Sequence, residues 1–219
     1  MRSKGHIFLV SCIVLLLVGG CTASSLKPTD ARVIDYHAKQ CLKSIETFTT
    51  RLYAKNPKYE KDKNGQLRKL RDIFAAGGPT GPFSFRSSRE LLTEAFAEKS
   101  TDPDRVYLLG LGLVKSIREA YGLDERTMLL SAMQIDLGRL ERLYHNLSQV
   151  NWRLKTYKDK DGRLLFLTNA AGDDGYVNMG YEVLMTEILT RIQDDIYLRG
   201  GLSEKYFFNM STMFMSIIL

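Results

Sequence analysis

After residue 30, apolar residues recur at spacings of three and four along nearly the whole chain, the period of an amphipathic helix. Val33, His37, Cys41, Ile45, Phe48 and Leu52 form the first stripe. Pro28-Thr29-Asp30 opens it, and Asn56-Pro57 closes it because proline disfavours helix at the preceding residue. A basic second helix is expected over Gln66–Ala76. The run Gly77-Gly78-Pro79-Thr80-Gly81-Pro82 then reads as a loop. Ser87-Ser88-Arg89-Glu90 has capping-box spacing and predicts a third helix to about Lys99. Asp102-Pro103 predicts the start of a fourth, ending at Tyr121-Gly122 and carrying the most apolar internal stretch, Val106–Val114. Gly110 and Gly112 each cost about 1 kcal/mol against alanine inside a helix, so they predict close approach of a neighbouring helix. Asp124 to about Tyr157 reads as one long helix, with Leu129, Met133, Leu137, Leu140, Tyr144, Leu147 and Trp152 in phase. Asp159-Lys160-Asp161-Gly162 is a turn, and the apolar run Arg163–Asn169 is short enough to be extended. Val177–Leu198 and Ser203–Leu219 complete the set. The expectation is an all-α, single irregular helical domain of about seven helices, spanning residues 30–219.

The first twenty residues break this pattern. Arg2 and Lys4 precede the apolar run Ile7–Val18, and Gly19 and Gly20 stand directly before Cys21. A basic start, a short apolar run and small residues at a cut describe a secretory signal, too short for a stable membrane span. Leu17-Val18-Gly19-Gly20-Cys21 resembles a bacterial lipoprotein lipobox; the alternative is an ordinary secretory signal with a chance cysteine. The resemblance implies that residues 1–20 are removed and that Cys21 becomes the lipidated first residue, with palmitate among its acyl chains. Thr22 is not the aspartate associated with inner-membrane retention, so the resemblance further implies the outer membrane, facing the periplasm. Several acyl chains, at about 0.8 kcal/mol per buried methylene, would anchor the protein durably. Residues 21–29 then act as a lipidated tether. The eight residues from Thr22 to Thr29 reach roughly 28 Å when fully extended.

The signal changes how charge and cysteine are read. The formal net charge of +6 falls to +4 once Arg2 and Lys4 leave. Outside the cytoplasm a mild basic excess points away from nucleic acid and toward anionic lipid or an acidic protein face. Cys12 leaves with the signal and Cys21 is acylated, so Cys41 is the remaining thiol and has no internal partner for a disulfide. Its place on the first stripe predicts a buried small apolar residue. An intermolecular disulfide or a reactive thiol is the alternative.

Candidate chemistry is thin. Aligning Gly162 with the sixth position of an EF-hand loop puts Tyr157 and Thr168 where an aspartate and the bidentate glutamate belong, so a plain turn is expected. Gly110-Leu111-Gly112 lacks both the third glycine, Lys115 standing there, and a preceding strand, and is no dinucleotide site. His37 sits on an apolar stripe and His145 on another helix, which gives no metal-ligand spacing. Asp173-Asp174 and Asp194-Asp195 are adjacent pairs, expected in a solvated loop and on a solvated face. No Gly-x-Ser-x-Gly or Ser-x-x-Lys nucleophile motif is present. No cofactor is expected, and the chain is read as a non-enzyme.

The strongest charge feature is residues 51–71. Arg51, Lys55, Lys58, Lys61, Lys63, Arg68, Lys69 and Arg71 stand against Glu60 and Asp62, a local excess of +6. This is either a solvated face or a contact with lipid headgroups or an acidic partner, at about 1 kcal/mol per close basic residue for lipid. Lys55, Lys58, Lys61, Lys63, Arg68, Lys69 and Arg71 are the candidate contact residues. The methionine- and aromatic-rich end, Tyr206–Leu219, is a core helix or else an adaptable docking surface or lid.

Ala120-Tyr121-Gly122, Trp152-Arg153-Leu154, Leu164-Leu165-Phe166-Leu167-Thr168-Asn169 and the stretch Glu187 to Ile192 carry a further likeness. From about Arg105 to Asp195 the chain resembles a family of small proteobacterial envelope lipoproteins. These are packing and turn patterns, and the likeness implies a helical envelope lipoprotein without an activity. The leading expectation is a scaffold or assembly component of an envelope protein complex, with envelope proteins as partners. The alternative is a carrier holding a lipid or other hydrophobic ligand in a helical cavity. A third reading is a hydrolase assembled from His145, Asp173 and Asp174.

Overall fold

The computed structural model describes residues 29–76, 78–100, 102–123, 135–171 and 177–200. The signal, Cys21, most of the tether, the Asp173-Asp174 pair and the helix expected over 203–219 lie outside the described residues. Within them the fold is all-α. Six helices are described: α1 (Thr29–Lys55), α2 (Lys63–Ile73), α3 (Ser88–Ala95), α4 (Arg105–Tyr121), α5 (Leu137–Thr156) and α6 (Gly180–Leu198). A two-residue antiparallel ribbon, β1 (Ala170–Ala171) with β2 (Val177–Asn178), precedes α6.

Local signals set most boundaries. Asn56 terminates α1 and is itself buried. Its side-chain amide donates to the carbonyls of Leu52 and Leu167 at 2.9 Å and accepts from the Leu167 amide at 2.7 Å. Asp62 caps α2 through the amides of Asn64 and Gly65. Ser87 and Glu90 form the expected reciprocal capping box on α3. Gly122, at φ 61°, ends α4 in the left-handed region that favours glycine. The expected long helix from Asp124 is corrected at its start. Residues 135 and 136 are not helical, and the Asp136 carboxylate caps α5 through the Gly138 amide, so the described helix begins at Leu137. The part of that expectation covering 124–134 lies outside the described residues. Likewise Val177 and Asn178 belong to the ribbon, and α6 starts at Gly180. The 163–169 run is not helical, and Leu164 bridges Lys158 across the Asp159–Gly162 turn.

α4 is the centre of the core. Thirteen of its residues are buried, and α1, α2, α3 and α5 all pack against it. Its two glycines explain how. A Cβ on Gly110 would stand 2.9 Å from the Thr49 methyl and 3.0 Å from Ile73 Cδ1, so α1 and α2 close onto that face. A Cβ on Gly112 would stand 2.7 Å from two carbons of Leu92 and 3.1 Å from its amide nitrogen, so α3 closes onto the other. The α1 stripe is buried at Ala31, Ile34, Ala38, Cys41, Ile45, Phe48 and Leu52, with the expected Val33 and His37 half-buried beside it.

α1 runs antiparallel to both α4 and α6. Tyr53, near its end, reaches Asp104 at the start of α4; His37, near its beginning, reaches Asp195 near the end of α6. Asp195 corrects the solvated-pair expectation: its side chain is 0% exposed. One carboxylate oxygen lies 2.7 Å from His37 Nδ1 and the other accepts from the Tyr121 hydroxyl at 2.6 Å, so one acid joins α1, α4 and α6. Burial explains the exception, because an acid removed from water must be hydrogen-bonded to be tolerated.

Desolvation holds the Asp195 carboxyl above its ordinary pKa, with the hydrogen bonds from Tyr121 and His37 pulling the other way and Asp194 adding to the rise. A carboxyl raised by folding contributes stability that is complete below its unfolded value of about 4 and lost as pH rises through the folded value. Asp195→Asn keeps the shape and removes the titration. Urea denaturation from acidic to mildly alkaline pH should show the native chain losing stability relative to this variant as pH rises. Parallel curves would show that Asp195 does not titrate as described.

Candidate functional site

The antiparallel arrangement gives the domain two poles. One holds the start of α1. The other gathers the end of α1, the starts of α2, α4 and α6 and the end of α5, as the Tyr53–Asp104, Tyr181–Arg51 and Lys155–Glu182 contacts require. α1 has 27 residues, and at 1.5 Å per residue separates the poles by about 40 Å. Lys55, Lys58, Lys61 and Lys63 all lie at the far pole, between the end of α1 and the start of α2. Arg68, Lys69 and Arg71 follow along α2.

The seven candidates are not equivalent. Lys69 is turned inward: its ammonium donates to Asp104 at 2.7 Å and to Glu60 at 3.0 Å. Asp104 is 2% exposed and caps α4 through the Tyr107 amide at 2.9 Å, while the Tyr53 hydroxyl donates to it at 3.0 Å. Desolvation raises the Asp104 pKa, and Lys69, the Tyr107 amide and Tyr53 oppose the rise. Burial also works against the Lys69 charge, but the two carboxylates outweigh it and its pKa is raised. Lys69 therefore holds the helix start together and is not displayed to a partner. Arg68 stands 3.5 Å from Asp62, both exposed, and Arg71 donates to the Leu67 carbonyl of its own helix. Lys58 lies 3.8 Å from Asp159 and over the ring of Tyr59. Lys55, Lys61 and Lys63 have no carboxylate within ion-pair distance among the described residues. Lys63, moreover, occupies the first turn of α2, where a cation opposes the helix dipole.

Beside these lysines is a cleft of about 760 Å³ between Lys58 and Tyr59 on one side, Glu98, Pro103 and Arg105 on another, and the 157–165 turn. Tyr59, Phe96, Tyr157 and Leu165 supply its apolar wall. The wall is braced from behind: Phe166 packs on Tyr59 and Phe96, Trp152 on Tyr157, and Arg153 lies over Phe96 and Tyr157. The Tyr59 hydroxyl donates to the Leu165 carbonyl at 2.6 Å, and burial pushes its pKa up to about 12. The Asp159–Gly162 turn forms one rim. Asp159 accepts the amides of Asp161 and Arg163, and Gly162 takes φ 75°, as a tight turn requires. Lys158 and Lys160 stand on this rim and were absent from the expected site. The spacing from 58 to 158 carries no periodic signal; the local cluster Lys158, Lys160 and Arg163 beside Tyr157 was the available hint.

The remaining chemical candidates are structural. Cys41 is buried, as expected, and desolvation raises its thiol to about 12, the opposite of an activated nucleophile. His37 is bound to Asp195. His145 lies on α5, and its supposed partners Asp173 and Asp174 lie outside the described residues. No group of three or more His, Cys, Asp and Glu side chains able to hold a metal ion occurs among the described residues. Three other clefts are open surface features, one between α4 and α5 near Ser116 and Leu143, one between α1 and α2 near Leu67 and Phe74, one along α6 near Met179 and Val183. No protein-family model, curated protein or solved structure matches the chain.

The inward role of Lys69 separates it from its neighbours. Lys69→Ala would leave Asp104 buried with its charge uncompensated and should cost about 3 kcal/mol. Lys61→Ala and Lys63→Ala should each change stability by less than about 0.5 kcal/mol. Urea denaturation of the three variants checks this, and equal effects would contradict the division.

Proposed function

We propose that this protein is an outer-membrane lipoprotein, acylated at Cys21 and facing the periplasm, that acts as a scaffold or assembly component of an envelope protein complex. The observation that carries the reading is α1. It joins the proposed tether at one pole to a lysine cluster about 40 Å away, of which Lys55, Lys61 and Lys63 have no carboxylate partner among the described residues. A tether of roughly 28 Å reach is shorter than that separation. The lysines of an upright domain therefore face away from the bilayer that holds the anchor, which favours an acidic protein partner over the anchor's own lipid headgroups. The resemblance to envelope lipoproteins supplies the compartment.

The carrier reading requires an enclosed apolar chamber. Among the described residues α4 is close-packed where Gly110 and Gly112 meet α1, α2 and α3, and the cavities, including the one between α4 and α5, are open clefts. The scaffold reading is preferred on that ground.

Two readouts test the proposal in the native cell. Labelled palmitate should enter the protein and be lost in Cys21→Ser. Mild-detergent purification should retain stoichiometric envelope proteins that Lys55→Glu, Lys58→Glu, Lys61→Glu and Lys63→Glu together release. Lys69 is left intact so that the fold survives. An unacylated protein, or one that emerges alone with a single defined lipid, would overturn the reading.

A further inference from the structure

We propose that the cleft between Lys58 and the Asp159–Gly162 turn is a peptide-binding site for an acidic segment of a partner protein that inserts one aromatic or large apolar side chain. The inference deepens the scaffold reading by locating the contact, and depends on that reading only for the partner's being another envelope protein.

Three observations support it. The first is an imbalance of charge at the far pole. Lys55, Lys61, Lys63, Lys158 and Lys160 have no carboxylate partner among the described residues. The acids at this pole are instead engaged: Glu60 by Lys69, Asp62 by the α2 amides, Asp159 and Asp161 by Arg163, and Asp102 by the Asp104 amide. Glu98 is the exception, exposed at the cleft without an ion pair among the described residues. Anions that this pole does not supply would complete the set.

The second is the apolar wall. Tyr59 and Tyr157, half-buried, face the cleft over the nearly buried Phe96 and Leu165, and edge-to-face packing of Phe96 on Tyr157 and Phe166 already holds this floor, so a ligand side chain meets a pre-organised surface and loses little entropy on binding. At about 760 Å³ the open cleft lies within the range of ordinary ligand sites. A purely ionic attraction would not need such a floor.

The third is extent. The free ammoniums lie both before α2 and on the 158–160 rim, and the Lys58–Asp159 pair ties the two sides together. A small anion satisfies one or two such groups, whereas an extended acidic chain crossing the cleft satisfies both sides. The Asp159-Lys160-Asp161-Gly162 motif thereby gains a role: its aspartates fold the turn on themselves and display Lys160.

The test uses the full-length lipoprotein in mild detergent and fluorescence anisotropy. The probe is a short fluorescein-labelled peptide of glutamates flanking one tryptophan, alongside the same peptide with glycine for tryptophan. The tryptophan peptide should bind about tenfold tighter than the glycine peptide, with affinity falling as salt is raised. Lys158→Glu with Lys160→Glu should weaken it at least about tenfold, and Glu98→Lys should tighten it about threefold. All three positions are exposed or on the rim, and circular dichroism with urea denaturation confirms that the variants remain folded. No binding, equal binding of the two peptides, or indifference to both rim and Glu98 changes would overturn the proposal. So would preferential binding of phosphatidylglycerol vesicles or of inorganic phosphate. Peptide binding without acylation of Cys21 would sink the lipoprotein reading and leave the cleft assignment standing; acylation without peptide binding would do the reverse.

Discussion

Two missing side chains organise this domain. Gly110 and Gly112 lie two residues apart on α4 and therefore face different sides, one toward α1 and α2, the other toward α3. In each direction a single added carbon would stand at or inside 3.0 Å of a neighbour's side chain. Each glycine gives up about 1 kcal/mol of helix propensity against alanine. Close packing of apolar side chains on both sides offsets that loss, since dispersion and burial depend on contact without gaps. α1 lies antiparallel to α4, as the Tyr53–Asp104 contact at one end and the His37–Asp195–Tyr121 chain at the other show. The two poles follow from that.

Buried acids then fix the ends. Asp104 ties the start of α4 to α1 and, through Lys69, to α2. Asp195 ties the end of α4 to the beginning of α1 through Tyr121 and His37. Each carboxylate accepts from at least two donors on other elements, and this distinguishes a specific junction from a costly burial. The chain thus spends one lysine of its basic segment on its own architecture, leaving the others to solvent or a partner.

The class of fold was legible because helical period survives wherever one face is buried and the other wet. Caps were legible where they are local: the Ser87–Glu90 box, Gly122 and Asn56-Pro57 each act within a few residues. What escaped was long-range. Asp195 reads as half of a solvated pair because nothing near it in sequence announces Tyr121 and His37. Lys69 reads as one more surface cation because Asp104 is 35 positions away. The apparent continuity through residue 136 hid a helix start, since Asp136 is unremarkable inside an amphipathic pattern and decisive as a cap. The candidate site was half legible for the same reason. The lysines of 55–63 form a visible run, whereas Lys158, Lys160 and the wall of Tyr59, Phe96 and Tyr157 come together only when the far pole assembles.

On the proposed lipoprotein reading, the anchor at Cys21 and the lysine-rich cleft lie at opposite ends of α1. Distance from the bilayer tests it directly. Cys41 is buried and its thiol raised to about 12, so a cysteine introduced at an exposed position labels alone once Cys21 is acylated. Lipidated Arg32→Cys and Lys61→Cys proteins, labelled with a donor and placed in vesicles carrying an acceptor lipid, report the two heights by energy transfer. The label at position 61 should sit about 35 Å farther from the bilayer than the label at position 32, the rise of α1 from Arg32 to Lys55. Equal transfer at the two positions would mean the domain lies flat on the membrane, and the far pole would then face lipid instead of a partner.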